Sequence, residues 1–150
     1  MNLEVGAKAP LFEGVNQNGD PIKLIDFKGK KVVLYFYPKD NTPGCTAESC
    51  DLRDNYEKLQ KEGYEILGVS TDSEKSHLRF IAKYELPFDL IADTDKNIHN
   101  QFNTWREKSM YGRKYMGTVR TTFIIDEAGV ITEIIEKVKT KAHTAQILKV

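Results

Sequence analysis

The run Val32-Val33-Leu34-Tyr35-Phe36-Tyr37 is apolar or aromatic at every position, without alternation, and Pro38 ends it. Successive side chains of a strand point to opposite faces, so such a run is stable only where both faces are covered. The chain is therefore expected to form an α/β layer fold with this strand at the centre of its sheet. Thr42 then supplies an N-cap and Pro43 a first helical residue whose missing N–H costs nothing. Leu52, Tyr56 and Leu59 continue as one inward stripe as far as Gly63.

The remaining elements follow from the same signals. Asn18-Gly19 marks a small hairpin over residues 10–24, between Phe12–Val15 and Ile22–Leu24. Tyr64–Val69 reads as a strand, Ser73–Leu86 as a helix stopped by Pro87, Phe88–Ile91 as a short strand, and residues 96–102 as a short helix. Thr121–Ile125 and Val130–Ile135 flank a turn at Asp126–Gly129, and Ala142–Leu148 closes the chain as a helix. The order β-α-β-α-β-β-α implies a mixed sheet flanked by helices. With 150 residues and no repeat or linker, residues 1–150 are read as a single domain.

Twenty-two basic side chains cancel 22 acidic ones, which argues against nucleic acid or an anionic membrane as partner. No apolar run approaches the roughly 20 residues of a membrane span. The opening MNLEVGAKAP lacks a signal-like apolar stretch, so a cytoplasmic setting is expected. Two cysteines in a reducing compartment suggest chemistry rather than stapling.

Cys45 falls at the third position of the helix that Thr42 would cap, beside unpaired N–H groups and the positive end of the dipole, which favour thiolate. Helical spacing also puts it on the stripe of Leu52 and Leu59. Cys50 shares the polar side with Thr46, Arg53, Glu57 and Lys61. An ideal helix sets the two Cα atoms about 8.5 Å apart, beyond the ~7 Å reach of a disulfide, so pairing requires the helix to unwind. Two plainer fates are a pair of buried structural cysteines and a zinc site with His77, His99 or His143. The second would be an unusual ligand set.

The segment PKDNTPGCTAESC carries a P-x-x-x-T-x-x-C signature and a C-x-x-x-x-C pair, and it resembles the peroxiredoxins, most closely the bacterioferritin comigratory protein or PrxQ subgroup. VGAKAP, WREKSMYGRKYMG and VRTTFIIDEAG extend the similarity nearly end to end. The resemblance implies a thioredoxin fold with an N-terminal hairpin extension. It makes Cys45 the peroxidatic cysteine and Cys50 the resolving one. Thr42 would hydrogen-bond thiolate and peroxide. Pro38 and Pro43 would wall the pocket around Gly44, Arg120 would hold charge beside the sulfur, and Glu48 would orient that arginine.

The implied reaction is a thiolate displacement on the O–O bond, stabilised by preorganised donors, and it calls for neither metal nor cofactor. The sulfenic acid on Cys45 would condense with Cys50, and thioredoxin or a similar dithiol would reset the pair. Monomer and weak homodimer are both compatible with the subgroup. The rival reading is a thioredoxin-like disulfide oxidoreductase without peroxidase activity. Such proteins use C-x-x-C and a proline before the later strand, and here the spacing is longer and no proline follows Pro87. Trp105, Tyr111 and Tyr115 are expected to pack, and Lys137, Lys139 and Lys141 to line a solvated strand edge.

Overall fold

The computed structural model describes residues 3–150. The doubly buried run is β3 (Lys31–Phe36), the middle of a five-stranded sheet that also contains β4 (Tyr64–Ser70), β5 (Asp89–Ala92), β8 (Thr121–Ile125) and β9 (Ile131–Ile135). The strand order is β5-β4-β3-β8-β9. β3 pairs parallel with β4 and antiparallel with β8, for example Tyr35 opposite Gly68 and Thr122. β5 is parallel to β4, and β9 antiparallel to β8 with an irregularity at Ile124/Ile125.

The pleat of β3 divides its side chains between two cores. Val32, Leu34 and Phe36 face the N-terminal segment with Phe12, Ile22, Leu24, Ile98 and Phe102. Val33, Tyr35 and Tyr37 face the helical layer with Cys45, Leu52, Leu59, Phe80 and Ile147. Gly68 is needed where Tyr35 crosses it: a Cβ there would lie 2.6 Å from Leu90 Cδ2 and 2.9 Å from Tyr35 Cζ. The room it leaves lets the Tyr35 hydroxyl reach Ser49 Oγ at 2.9 Å.

The N-terminal hairpin forms as expected, from β1 (Glu13–Val15) and β2 (Pro21–Lys23). Gly19 takes a positive φ in its turn, and Asn16 Oδ1 accepts from the N–H groups of Asn18 and Asp20. α3 (Glu74–Tyr84) is capped by Ser73, whose hydroxyl oxygen accepts from Ser76 N–H. α4 (Asn97–Gln101) and α5 (His143–Leu148) lie at the expected places.

The structure departs from the expectations in three places. The long helix after Thr42 is two: α1 (Pro43–Asp54) and α2 (Tyr56–Lys61), broken at Asn55. Residues 105–118, to which the sequence pattern assigned no element, form a separate hairpin of β6 (Trp105–Met110) and β7 (Arg113–Thr118). Its turn residues Tyr111 and Gly112 both have positive φ, and Tyr111 is fully exposed, with Tyr115 also exposed, so neither packs as expected. Lys137, Lys139 and Lys141 are exposed but belong to a loop, not a strand edge. No helix among the described residues is long and apolar enough to cross a membrane.

Candidate active site

Strand β3 delivers the chain through Pro38 to a short loop and into α1. Asp40 pins that loop: its carboxylate accepts from the Tyr37 and Ser76 hydroxyls and pairs with His77 Nδ1 at 2.7 Å, while its N–H donates to Asp72 Oδ2. Asp40, Asp72 and His77 are the one group with metal-ligand proximity among the described residues, and these internal bonds occupy it.

Cys45 enters in the first turn of α1 and is buried. Its sulfur accepts a hydrogen bond from Arg120 Nη2 at 3.3 Å, and Arg120 Nη1 donates to Glu48 Oε1 at 2.7 Å. One guanidinium thus spans the thiol and a carboxylate one helical turn further along α1. Burial opposes the charge of Arg120, but Glu48 and Cys45 outweigh it and hold the guanidinium above its usual range. Burial of Glu48 pushes its carboxyl up to about 7, against the pull of Arg120 and with help from Asp51. Lys108, on β6, donates to Thr118 O. Burial and then Arg120 push its ammonium down, and Cys45 opposes them.

The expected residues do not all play their expected parts. Thr42 has the extended backbone of an N-cap, but its side chain caps nothing; the hydroxyl donates to Lys39 O at 2.8 Å. Among the described residues the N–H groups of Gly44 and Cys45 consequently keep no partner, and they face the helix entrance as free donors. Gly44 stands so close to the guanidinium that a Cβ would lie 3.2 Å from Arg120 Nη2. Pro38 is half-buried at the end of β3 and Pro43 exposed at the helix start.

Cys50 is half-buried on the same helix, both cysteines are free, and burial pushes the Cys50 thiol up. None of the three histidines hydrogen-bonds a cysteine. His77 is tied to Asp40 and Ile91 O, His99 to Asp93 and Thr118, and His143 to Thr122 and Gln146.

Sequence reasoning missed the support behind Glu48. α5 docks on α1 through Thr144, whose N–H and hydroxyl donate to Asp51 Oδ2 and Asp51 O. This docking brings His143 Nε2 to 3.5 Å from Glu48 Oε2. The partners are 95 residues apart in the chain, and no local pattern could have joined them.

Comparison with known proteins gives the same picture. Residues 5–134 match the AhpC/TSA family. The chain is 49% identical to a protein named putative peroxiredoxin bcp from Coxiella burnetii, covering 99% of this chain and 98% of that one. It is 45% identical to peroxiredoxin Bcp of Bacillus subtilis, over 99% and 95% of the two chains. Among solved structures, a cysteine-to-serine variant of PrxQ from Xylella fastidiosa superposes with a TM-score of 0.92 at 31% identity, over 99% of this chain and 95% of that one. A variant of peroxiredoxin Q from Xanthomonas campestris gives 0.88 at 37%, over 98% and 94%. The mixed sheet flanked by helices is accordingly the thioredoxin fold of these proteins, and the chain belongs to the AhpC/TSA family as a peroxiredoxin of the bacterioferritin comigratory protein (PrxQ) type.

Proposed function

We propose that this chain is a thiol-dependent peroxidase acting on hydrogen peroxide and organic hydroperoxides through Cys45, with Cys50 as the resolving thiol. The observation that carries the reading is the Arg120 guanidinium held between Cys45 Sγ and Glu48 Oε1 at the start of α1. A thiolate there attacks the terminal oxygen of ROOH; an S–O bond forms, the O–O bond breaks, and RO⁻ leaves to take a proton from solvent. Arg120 and the free N–H groups of Gly44 and Cys45 supply donors where negative charge moves from sulfur to the leaving oxygen. Thr42, with its proton committed to Lys39 O, offers an oxygen lone pair to the peroxide O–H. Pro38 and Pro43 shape the entrance.

The Cys45 sulfenic acid condenses with the protonated Cys50 thiol, releasing water and forming a disulfide. Because both residues lie within continuous α1, that step opens the helix. Thioredoxin or a similar dithiol then reduces the pair. The whole of residues 1–150 acts as one domain, in the cytoplasm, as a monomer or weak homodimer, without metal, cofactor, nucleic acid or membrane.

The test is peroxide consumption coupled to thioredoxin and its reductase. Wild type should turn over, and Cys45→Ser should not, since a serine hydroxyl is almost un-ionised and a far weaker nucleophile. Robust turnover by Cys45→Ser would remove Cys45 from the mechanism. Disulfide reduction without peroxide consumption would favour the oxidoreductase alternative.

A further inference from the structure

Glu48 is fully buried, and only one of its oxygens has a hydrogen-bond partner: Oε1 accepts from Arg120, whereas Oε2 has none. A buried oxygen left in this way is costly and calls for an account. His143 Nε2, itself fully buried, lies 3.5 Å from it.

The proton positions on His143 follow from its neighbours. Gln146 Nε2 donates to Lys137 O, and Gln146 Oε1 accepts from Lys139 N–H, so the amide orientation is fixed. His143 Nδ1 lies 2.8 Å from that same Oε1. An oxygen can only accept, so Nδ1 carries a hydrogen. In the neutral ring Nε2 is then bare. It accepts a hydrogen bond from the Thr122 hydroxyl at 2.8 Å, and Glu48 Oε2 lies 3.5 Å from the same nitrogen. Two buried acceptors thus lie across a gap longer than a formed hydrogen bond, and one added proton would join them once the Thr122 hydroxyl gives up the nitrogen lone pair. The Thr122 hydroxyl can rotate from donor to acceptor to suit.

We propose that His143 is a positioning residue of the Cys45 centre, holding one proton in common with Glu48 Oε2, so that this proton sets how much of the Arg120 charge is turned toward the sulfur. With the proton present, Glu48 is neutral or paired with an imidazolium, and Arg120 answers chiefly to Cys45. Once the proton leaves, the Glu48 carboxylate claims a larger share of the guanidinium.

The charged and titratable groups acting on the pair are Asp51 on α1, Arg120 before β8 and Tyr35 on β3, while Cys45 on α1 and Lys108 on β6 act on Arg120. Asp51 disfavours ionisation of Glu48 and favours a charged His143, while Arg120 does the reverse to both. Burial opposes charge on either member, which leaves one shared proton as the favoured state near neutral pH. The role assigned to His143 rests on the peroxidatic reading of Cys45, whereas the shared proton does not.

The test is nitrogen NMR of the full-length reduced protein labelled at its histidines, followed from pH 5.5 to 8.5. His143 should show a protonated Nδ1 throughout and an Nε2 signal that moves as the Glu48 carboxyl titrates, near 7. In Glu48→Gln, whose amide keeps an acceptor for Arg120 and a permanent donor for Nε2, the movement should vanish. The single-turnover rate of Cys45 with hydrogen peroxide should carry an inflection at the same midpoint in wild type and lose it in Glu48→Gln. A bare Nδ1, a pH-invariant Nε2 in wild type, or the same inflection in both proteins would overturn the proposal. The NMR measurement involves no turnover, so failure of the peroxidase reading and failure of the shared proton are distinguishable.

Discussion

Gly44→Ala separates the electrostatics of the site from the stability of the helix that carries it. Gly44 has no positive φ, so alanine fits its backbone, and replacing a helical glycine raises helix stability by up to about 1 kcal/mol. The added Cβ would sit 3.2 Å from Arg120 Nη2, closer than ordinary contact, and must move that nitrogen by a few tenths of an ångström. Arg120 is anchored on its other side by the 2.7 Å bond to Glu48, so the guanidinium pivots there and swings Nη2 off the sulfur, now 3.3 Å away. A hydrogen bond to a charged group contributes about 1.5–3 kcal/mol. Losing an amount near the lower end of that range, ~1.4 kcal/mol, slows the peroxide step about tenfold. The assay is the stopped-flow rate of Cys45 oxidation beside a urea denaturation curve: stability equal to or above wild type, with the rate down about tenfold. An unchanged rate in the folded variant would refute the claim that Arg120 acts through its contact with the sulfur.

Arg120→Ala removes the cation outright and should lower the same rate by about 10²-fold or more, the scale of losing one charge-stabilising donor; an unchanged rate would reduce Arg120 to a structural partner of Glu48. Hydrogen exchange should become much faster over residues 42–55 on oxidation while β3 stays protected. Equal protection in both redox states would rule out a Cys45–Cys50 disulfide made by opening α1. Glu48 also links stability to pH. Its carboxyl is raised in the folded protein from an ordinary 4.5 to about 7, so the native state holds the proton longer than the unfolded chain. The contribution is fully present below about 4.5, declines as pH rises, and is gone above about 7, a swing of about 3 kcal/mol. The stability difference between wild type and Glu48→Gln should therefore move against wild type over that window, and a flat difference would refute the assignment.

The central strand was legible because only a doubly covered position tolerates six apolar residues in a row, and the start of α1 because Thr42-Pro43 is a strong local signal. The break at Asn55 was not legible, since Leu52, Tyr56 and Leu59 keep helical spacing across it. The β6–β7 hairpin was equally hidden. Its residues are mostly exposed on both faces, so they lack the alternation by which a half-buried strand is recognised. At the site, Cys45, Glu48 and Arg120 were carried by the family motif, and the structure brings them together. Thr42 follows the backbone rule for a cap while its hydroxyl serves Lys39, a choice between nearby acceptors that residue type does not decide. His143, Thr122 and Asp51 depend on how α5 docks, which is a property of tertiary packing.

The interruption at Asn55 acts as a firebreak. Asn55 closes α1 through its side-chain bond to Asp51 O and leads directly into α2. α2 has its own anchors, Leu59 in the core and the Tyr56 hydroxyl on Glu65 of β4. A continuous helix would pass disorder along its hydrogen-bond ladder, whereas here the opening of α1 that the proposed disulfide requires would stop at the Asn55 junction. The proposed redox cycle would then leave the sheet undisturbed, because the part that opens and the part that remembers the fold meet at one residue.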